Sequence, residues 1–570
     1  MRRAAWTERT FVPVTVATGL ALADAPIVVL ALPSILNDFH ASVIGVAAVI
    51  GAYTLALTAA LPAAIVLQRA LGPDPRRSAT RLGGFALLAL ALTCLGCGLA
   101  GDLVLLVTFR ALQGAAAAAA LVAAFGILRA DLPHSRGRRA WAATAVLGVA
   151  LGPALGGALT ELLSWRAIFL VQVPLLTVAG IVCLTAPQAT AARPKPVTPA
   201  GGSRPAGSAL GSLLCLGLLS AALTGVLFLL VLLLVSGWAL SPLHAAAVVS
   251  VLPVGAVLGT RVRGGNAARA LVGCVLVGAG VMCLAFLPLA STAMTLVPQI
   301  VAGFGMGLAL PALADGLLGQ HDVRDAGRQL GVRHLAITLM LVVLAPLSAA
   351  QLDSAGDQVR LRGTALILDA NLPISAKLEL ARLATANLNT IAPRAELRSK
   401  LGEAEVSIGG SSRGAFEQLR RRADQMLVSA INQAFRPGFL VCGALAFLAA
   451  AGLLALTRPR IGAVTRMLCF AAVLLVPAQA ALAAAIAPAP VALGNPCHDQ
   501  HLPHTSGPDQ FIQDTSLSLL NRAACHYGSS AAALALALVD KNSARDYQRE
   551  YGVDPQSAGG LLSIFEHVLP

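Results

Sequence analysis

Long apolar runs constrain this chain more than any other feature. Thirteen of them, each of about 20 residues or more, are separated by short polar or basic connections. A run of this length crosses the roughly 30 Å hydrocarbon core of a bilayer as a helix. Apolar residues make up 57% of the chain and charged residues only 12%, against about 25% charged in a soluble domain. A soluble enzyme and a disordered chain are therefore excluded. The runs lie at 11–36, 43–68, 82–101, 103–128, 140–161, 166–186, 208–236, 243–262, 268–288, 291–318, 332–350, 437–457 and 466–487.

Positive charge alternates from one connection to the next. The formal net charge of +14 would suggest nucleic acid in a soluble protein. Here one set of connections holds 23 Lys and Arg residues and the alternate set holds none. Because short cytoplasmic loops collect positive charge, we expect a multi-pass protein of the cell (inner or cytoplasmic) membrane. Its N-terminus would be cytoplasmic, its C-terminus extracytoplasmic, and its net charge topological, with no nucleic-acid partner. The basic set comprises 1–10, 69–81, 129–139, 187–207, 261–269, 324–333 and 458–466; the set without basic residues comprises 37–42, 102, 162–165, 237–242 and 289–290.

The predicted fold is an all-α polytopic membrane protein made of two six-helix bundles, a thirteenth transmembrane helix and two extracytoplasmic pieces. A Pro-, Gly- and Ala-rich cytoplasmic linker divides the bundles. The first piece is a helical insert in which Phe416, Leu419, Ala423, Met426, Ala430 and Ala434 recur at helical spacing, and its last helix is expected to stop at Arg436-Pro437. The predicted domains are 1–186 (N-terminal bundle), 187–207 (linker), 208–350 with 437–457 (C-terminal bundle), 351–436 (insert), 466–487 (thirteenth helix) and 488–570 (tail).

Two features of the C-terminal region leave alternatives open. The thirteenth run is interpreted as an anchor helix, although Ala478-Gln479-Ala480 also resembles a signal-peptide cleavage site. The tail holds Cys497 and Cys525, which predict one disulfide in an oxidising compartment, whereas the other eight cysteines lie in apolar runs. Three histidines beside Cys497 have the ligand types of a metal site. A solvated loop is favoured there, and no metal is predicted.

Ionisable residues inside apolar runs are few, and each is a functional hypothesis by default. Asp24 lies near the middle of span 1, and Arg110 lies about 10 Å into span 4 at 1.5 Å per residue. They form either a buried structural pair or part of a cavity in which Asp24 exchanges protons, because arginine cannot release its own. Glu161 and Asp315 lie near span ends and are expected to be interfacial. Neither soluble piece contains a nucleophile–base set, so the sequence predicts no catalytic residue, no enzyme and no cofactor.

Span 5 carries a row of small residues. Gly148, Gly152 and Gly156 share one helix face and allow a neighbouring helix to approach closely. Pro153 favours a kink, and Gly157 follows. We expect this face to lie against the other bundle at a moving interface, although tight packing alone is the plainer interpretation.

Several segments together resemble the major facilitator superfamily and its drug:proton antiporter branch, over about 11–350 and 437–457. In span 4, Arg110-Ala-Leu-Gln113-Gly114 resembles the motif R-x-x-Q-G, and span 5 fits the antiporter motif G-x3-G-P-x2-G-G at every fixed position. The segments that carry the rest of the resemblance are 24–35 in span 1 (D-x-T-I-V-N-V-A-L-P-x-I in the family), Ser164-Trp165-Arg166 at the start of span 6, and Gly303-Phe-Gly305-Met-Gly307 with Pro311 in span 10.

The resemblance implies a major-facilitator-like transporter that exports small amphipathic or hydrophobic compounds in exchange for protons, like multidrug efflux proteins. Asp24, Arg110 and Gln113 would belong to the proton-coupling or substrate cavity, and the partners would be a small molecule, protons and membrane lipids. The 66–72 connection departs from the family because it lacks the acidic residue of G-x-L-A-D-R-x-G-R. Two alternatives stay open. One is export of a lipid or cell-envelope precursor; the other is a non-transporting scaffold or receptor, with an envelope partner at 351–436 and 488–570.

Overall fold

Every regular element in the described part of the chain is a helix. The computed structural model describes residues 19–20, 24, 26–131, 152–185, 206–314, 323–370, 372, 380, 393–407, 413–457 and 463–486. The helices are α1 (Pro26–Asp38), α2 (Val43–Ala70), α3 (Pro75–Gly98), α4 (Leu103–Asp131), α5 (152–162), α6 (Ala167–Thr185), α7 (Ala206–Val231, continued by a π-helical turn at Leu232–Gly237), α8 (Pro242–Thr260), α9 (Asn266–Leu284), α10 (Thr292–Pro311), α11 (Val323–Asp369), α12 (Pro393–Ser407), α13 (Arg413–Thr457) and α14 (Ala463–Ile486).

Polar caps mark where several helices begin. The side chains of Ser42 and Ser241 accept hydrogen bonds from backbone N–H groups in the first turns of α2 and α8. Asp74 does the same for α3, where Pro75 occupies the first turn, and Asp102 accepts from Leu105 N at 2.7 Å in α4. Such caps satisfy N–H groups that a helix leaves free, and they place the turns between apolar runs.

The packing of the first bundle is repeated in the second. Helix α4 packs against α2 and α3, and α10 packs against α8 and α9, six helices later. Both pairings depend on glycine. A Cβ atom on Gly114 of α4 would overlap the carbonyl oxygen of Tyr53, and one on Gly307 of α10 would overlap that of Ala256. These contacts allow two backbones to touch, which is how small residues support helix packing in membranes.

Eleven of the described helices are long and apolar enough to cross a membrane. They correspond to eleven of the thirteen predicted runs. The other two are spans 1 and 5, of which α1 and α5 are the described parts. The chain is therefore an all-α multi-pass membrane protein, while the count of thirteen spans stays a prediction. Helix α14 has the length and apolarity of the predicted extra helix, with only 6% of its apolar window buried against the rest of the protein.

The chain divides into two compact units. The membrane-spanning unit contains residues within Met1–Ser236, Leu240–Ala350 and Phe435–Ala485, and the second contains Gly237–Ala239 and Gln351–Ala434. In the second unit Phe416 and Leu419 are buried in an apolar core, as the stripe predicted. Arg394 forms two hydrogen bonds to Asp424, at 2.7 and 2.6 Å.

One predicted boundary in this region is wrong. The last helix of the insert does not stop at Arg436-Pro437, because α13 continues through Pro437 to Thr457. A proline removes one backbone hydrogen bond, and membrane helices tolerate that loss when neighbours satisfy the freed group. At the other end of the predicted insert 351–436, α11 runs on to Asp369.

Candidate functional site

Asp24 and Arg110, the two ionisable residues that lie inside apolar runs of the first bundle, form a buried ion pair. Arg110 of α4 donates from Nη1 to Asp24 Oδ1 at 2.9 Å and from Nη2 to Asp24 Oδ2 at 2.7 Å. This two-pronged geometry is the strongest form of an arginine–carboxylate contact. Arg110 is 0% exposed and Asp24 is 1% exposed, so each charge depends on the other for solvation.

Further groups complete this polar cluster. Gln113 lies one turn after Arg110 on the same face of α4, as its spacing requires. Its Oε1 accepts from Arg110 Nη1 at 2.6 Å, and its Nε2 lies 3.4 Å from Asp24 Oδ1. Arg110 Nε donates to Val49 O of α2 at 3.0 Å, and the guanidinium stacks on Tyr53 at 4.4 Å from the ring centroid. Asp24, which lies two residues before α1, is thereby held against α2 and α4.

A cavity of about 70 Å³ lies between the two bundles. Its described walls are mostly apolar, hold no Phe, Tyr or Trp, and include two threonines and a serine. Asp24, Arg110 and Gln113, which the sequence placed at a cavity, do not line this one and are enclosed beside it. The lining residues are Pro26, Thr54 and Pro153 from the first bundle, and Ser220, Leu223, Thr224, Leu227, Leu252, Pro253, Met306, Leu310, Arg333, His334 and Ile337 from the second.

Two ionisable residues in the cavity wall were missed by the sequence analysis. Arg333 was assigned to a cytoplasmic connection, but it lies ten residues into α11, about 15 Å from the start of the helix. His334 follows and is 9% exposed. Arginine usually marks the end of an apolar run, which explains the error. A signal was present: Leu330 and Ala326 continue the buried face one and two turns before His334.

The span 5 glycines contact two different partners. A Cβ atom on Gly156 would overlap the carbonyl oxygen of Ile27 in α1, within the same bundle. A Cβ atom on Gly157 would overlap Ala246 of α8 and lie 2.7 Å from Pro242 O. Gly157 therefore contacts the other bundle, whereas Gly156, which the sequence analysis expected at that interface, contacts its own bundle.

A second contact between the bundles involves Glu161 at the end of α5. Its Oε2 accepts a hydrogen bond from Leu243 N at 2.7 Å, in the first turn of α8. Helix N-termini attract negative charge, so this carboxylate has a defined partner. Near the cavity, Thr54 Oγ1 of α2 and Thr338 Oγ1 of α11 lie 2.7 Å apart and share a hydrogen bond.

Trp165 and Arg166 of the span 6 motif converge on Asp38, in the connection after span 1. Trp165 Nε1 and Arg166 Nη1 donate to Asp38 Oδ2 at 3.0 and 2.8 Å. These hydrogen bonds lower the pKa of the Asp38 carboxyl, the bond from Trp165 having the larger effect. The motif residues thus connect the ends of α1 and α6.

Other predicted site residues lie outside the described part of the chain. They are Gly148 of the glycine row, Asp315, and the cysteine pair Cys497 and Cys525. Gly152 and Pro153 are described and buried. Among the described residues, no group of three or more His, Cys, Asp or Glu side chains has the arrangement of a metal site.

Curated relatives are similar to about a third of this chain. It is 34% identical over 182 residues to the tetracenomycin C resistance and export protein of Streptomyces glaucescens, which covers 31% of this chain and 33% of that protein. It is 35% identical over 176 residues to the multidrug resistance protein Stp of Mycobacterium tuberculosis, covering 30% and 32%. The drug efflux pump JefA of the same species is 33% identical over 176 residues, covering 30% and 34%. The chain thus spans about a third of the length of these relatives.

Solved structures agree on the fold. A bacterial homolog of the human lysosomal transporter Spinster, inward-facing and occupied, superposes with a TM-score of 0.55 at 16% identity, covering 79% of this chain and 96% of that chain. The unoccupied form gives 0.52 at 15% identity, covering 79% and 98%. The family model of the Major Facilitator Superfamily matches residues 14–345, more than half of the chain. The repeated bundles, the motifs in α4 and α5 and this match together establish that the chain belongs to the Major Facilitator Superfamily.

Proposed function

We propose that the protein is a secondary active transporter that exports small amphipathic or hydrophobic compounds in exchange for protons. The observation that carries the proposal is the cavity between two similarly packed bundles, lined from both sides and mostly apolar. Apolar walls with a few polar groups are typical of sites for small organic ligands. The names of the relatives, which refer to drug resistance and export, favour the direction and the type of cargo.

In the proposed cycle the bundles part alternately at the two ends of the cavity. Three of the contacts between them suit such a motion because each is small: the Thr54–Thr338 hydrogen bond, the Glu161–Leu243 hydrogen bond and the glycine contact of Gly157. Ala326 and Leu330 of α11 also pack into the apolar core of the first bundle. A hydrogen bond contributes only about 0.5–1.5 kcal/mol net. Ligand binding can shift a balance of this size by differential affinity for the two states.

Asp24 is the proposed proton carrier. Arg110 cannot lose its proton, so in this proposal the carboxylate is the partner that accepts and releases one. If Asp24 accepts a proton, Arg110 keeps its hydrogen bonds to Val49 O and Gln113 Oε1. The guanidinium would then stay in place while the link between Asp24, two residues before α1, and α4 weakens. Proton binding would in this way alter the packing of α1, which carries Pro26 at the cavity wall.

A reversible cross-link tests whether transport needs the bundles to part. Thr54→Cys/Thr338→Cys replaces two hydroxyls that lie 2.7 Å apart, so oxidation should join α2 to α11. In proteoliposomes with an imposed pH gradient, we expect oxidation to stop export of a panel of apolar compounds and reduction to restore it. The single variants, oxidised in the same way, are the matched controls.

The outcomes separate the hypotheses. Export that continues at the same rate in the cross-linked protein would contradict movement between the bundles. Export that is insensitive to a protonophore would contradict proton coupling but not movement between the bundles. Absence of export for every compound, with native folding, would favour the scaffold alternative.

A further inference from the structure

The charge of the central cavity is unbalanced. Among the described residues, the ionisable ones that line it are Arg333 and His334, and no described Asp or Glu does. The nearby pair of Asp24 and Arg110 is neutral as a unit. The described part of the cavity wall therefore carries one permanent positive charge, since arginine stays protonated in proteins.

Arg333 has spare hydrogen-bonding capacity. Its Nε atom is buried and finds no acceptor among the described residues. A buried donor without a partner destabilises a protein, and an intramembrane arginine is costly unless a partner or water compensates it. Retaining such a group beside a cavity is explained if a ligand supplies the acceptor. The planar guanidinium matches the two oxygens of a carboxylate or sulfonate.

His334 is held in a defined tautomer next to Arg333. Its Nδ1 donates to Leu330 O at 2.8 Å, because a carbonyl oxygen can only accept. The neutral ring therefore carries its proton on Nδ1, which leaves Nε2 as an acceptor. Because His334 lines the same cavity, protonation at Nε2 would add positive charge to the wall. The His334 ring is therefore either neutral or positive and supplies no negative charge to the cavity.

Apolar surface surrounds this cation. Leu227, Leu252 and Ile337 lie in the same wall, and Leu252 and Ile337 are 6% and 4% exposed. A ligand that satisfies both parts of the wall has an apolar body and one anionic group. At about 70 Å³ the cavity holds about two water molecules, each of which occupies roughly 30 Å³ in the liquid, so a larger ligand requires the bundles to part.

We infer that the central cavity selects amphipathic organic anions, with the anionic group on Arg333 and the apolar body against the leucine and isoleucine wall. This inference rests on the proposed function, because it names the substrate class of the same cavity. It distinguishes the cavity from one that binds apolar cations or neutral compounds.

A ligand series with one apolar body tests the inference without any variant. The probes are pyrenebutyrate, pyrenebutanol and pyrenebutylamine, titrated against the full-length protein in nanodiscs of zwitterionic lipid, with empty nanodiscs as the baseline for partitioning. We expect pyrenebutyrate to bind at least about tenfold more tightly than the other two, as a charge-assisted contact allows. Equal affinities, or a preference for the amine, would overturn the inference.

Variants assign the selectivity to Arg333. Arg333→Gln should remove the preference for the carboxylate, and Arg333→Lys should keep part of it, because a point charge replaces the planar fork. The matched control is Arg328→Gln, which removes a positive charge from the same helix at a side chain that is 72% exposed; it should bind like the wild type. Full selectivity in a folded Arg333→Gln protein, or its loss in Arg328→Gln, would refute the assignment.

A final experiment identifies whether the anion is a membrane lipid or a free compound. Adding an anionic lipid to the nanodiscs should displace the probe if membrane lipid is the ligand, and should leave it bound if the ligand is a free compound; both are amphipathic anions. Binding is measured apart from transport. Selective binding without export would support the inference and contradict the proposed function, whereas export without selectivity would do the reverse.

Discussion

Asp24→Asn should destabilise the first bundle, because it removes one partner of a buried ion pair. The amide has the shape of the carboxylate but offers a single acceptor oxygen. It can replace the 2.9 Å contact with Arg110, and its NH₂ group would then face another donor, Nη2, at the position of the 2.7 Å contact. Arg110 would stay charged at 0% exposure.

The size of the effect follows from this geometry. Removing one partner of a buried pair costs about 3–5 kcal/mol. Arg110 keeps two acceptors, Val49 O and Gln113 Oε1, so we expect the lower end, about 3 kcal/mol, or more than about a hundredfold in the folding equilibrium. The double variant Asp24→Asn/Arg110→Gln removes both charges and should cost much less than the sum of the two single changes.

The assay is unfolding of the purified protein in mixed micelles with a rising fraction of sodium dodecyl sulfate, followed by circular dichroism. The exposed pair of Asp38 and Arg166 is the matched control. Its side chains are 44% and 35% exposed, so Asp38→Asn should change the free energy of unfolding by less than about 1 kcal/mol. An Asp24→Asn protein as stable as the wild type, or additive effects in the double variant, would refute the reasoning.

Two further changes have defined outcomes. Gly157→Ala should lower stability and slow export, because the new Cβ would overlap Ala246 of the other bundle. The control is Gly51→Ala in α2, whose Cβ meets nothing within 4 Å and which should stabilise the protein by up to about 1 kcal/mol. The same unfolding assay and export from vesicles test both variants, and equal effects would contradict a contact between the bundles at Gly157. The lowered pKa of Asp38 adds stability that is fully present above pH of about 4 and is lost as the pH falls through the folded-state pKa. Asp38→Asn should therefore flatten the acid limb of the stability–pH curve, and an unchanged limb would contradict this.

The sequence alone determined the class of the fold and most of its helices. In a bilayer each spanning segment must satisfy its own backbone hydrogen bonds, so apolar length and polar caps such as Asp74 define a helix with little help from its neighbours. The same reasoning identified Asp24 and Arg110, because an ion inside an apolar run is conspicuous wherever it lies.

Pairing between distant segments was decided only by the tertiary structure. Asp24 and Arg110 are 86 residues apart, and nothing in either run states that spans 1 and 4 bring them into hydrogen-bond distance. Successive residues of a helix point about 100° apart, so the rotation of α5 determines that Gly157 meets the other bundle while Gly156 meets α1. Hydropathy describes the free energy of placing a residue in lipid. It says nothing of the cavity beside Arg333, because that cavity forms only when the two bundles pack together. That is why an arginine that a linear pattern assigns to a loop lies in the wall of the central cavity.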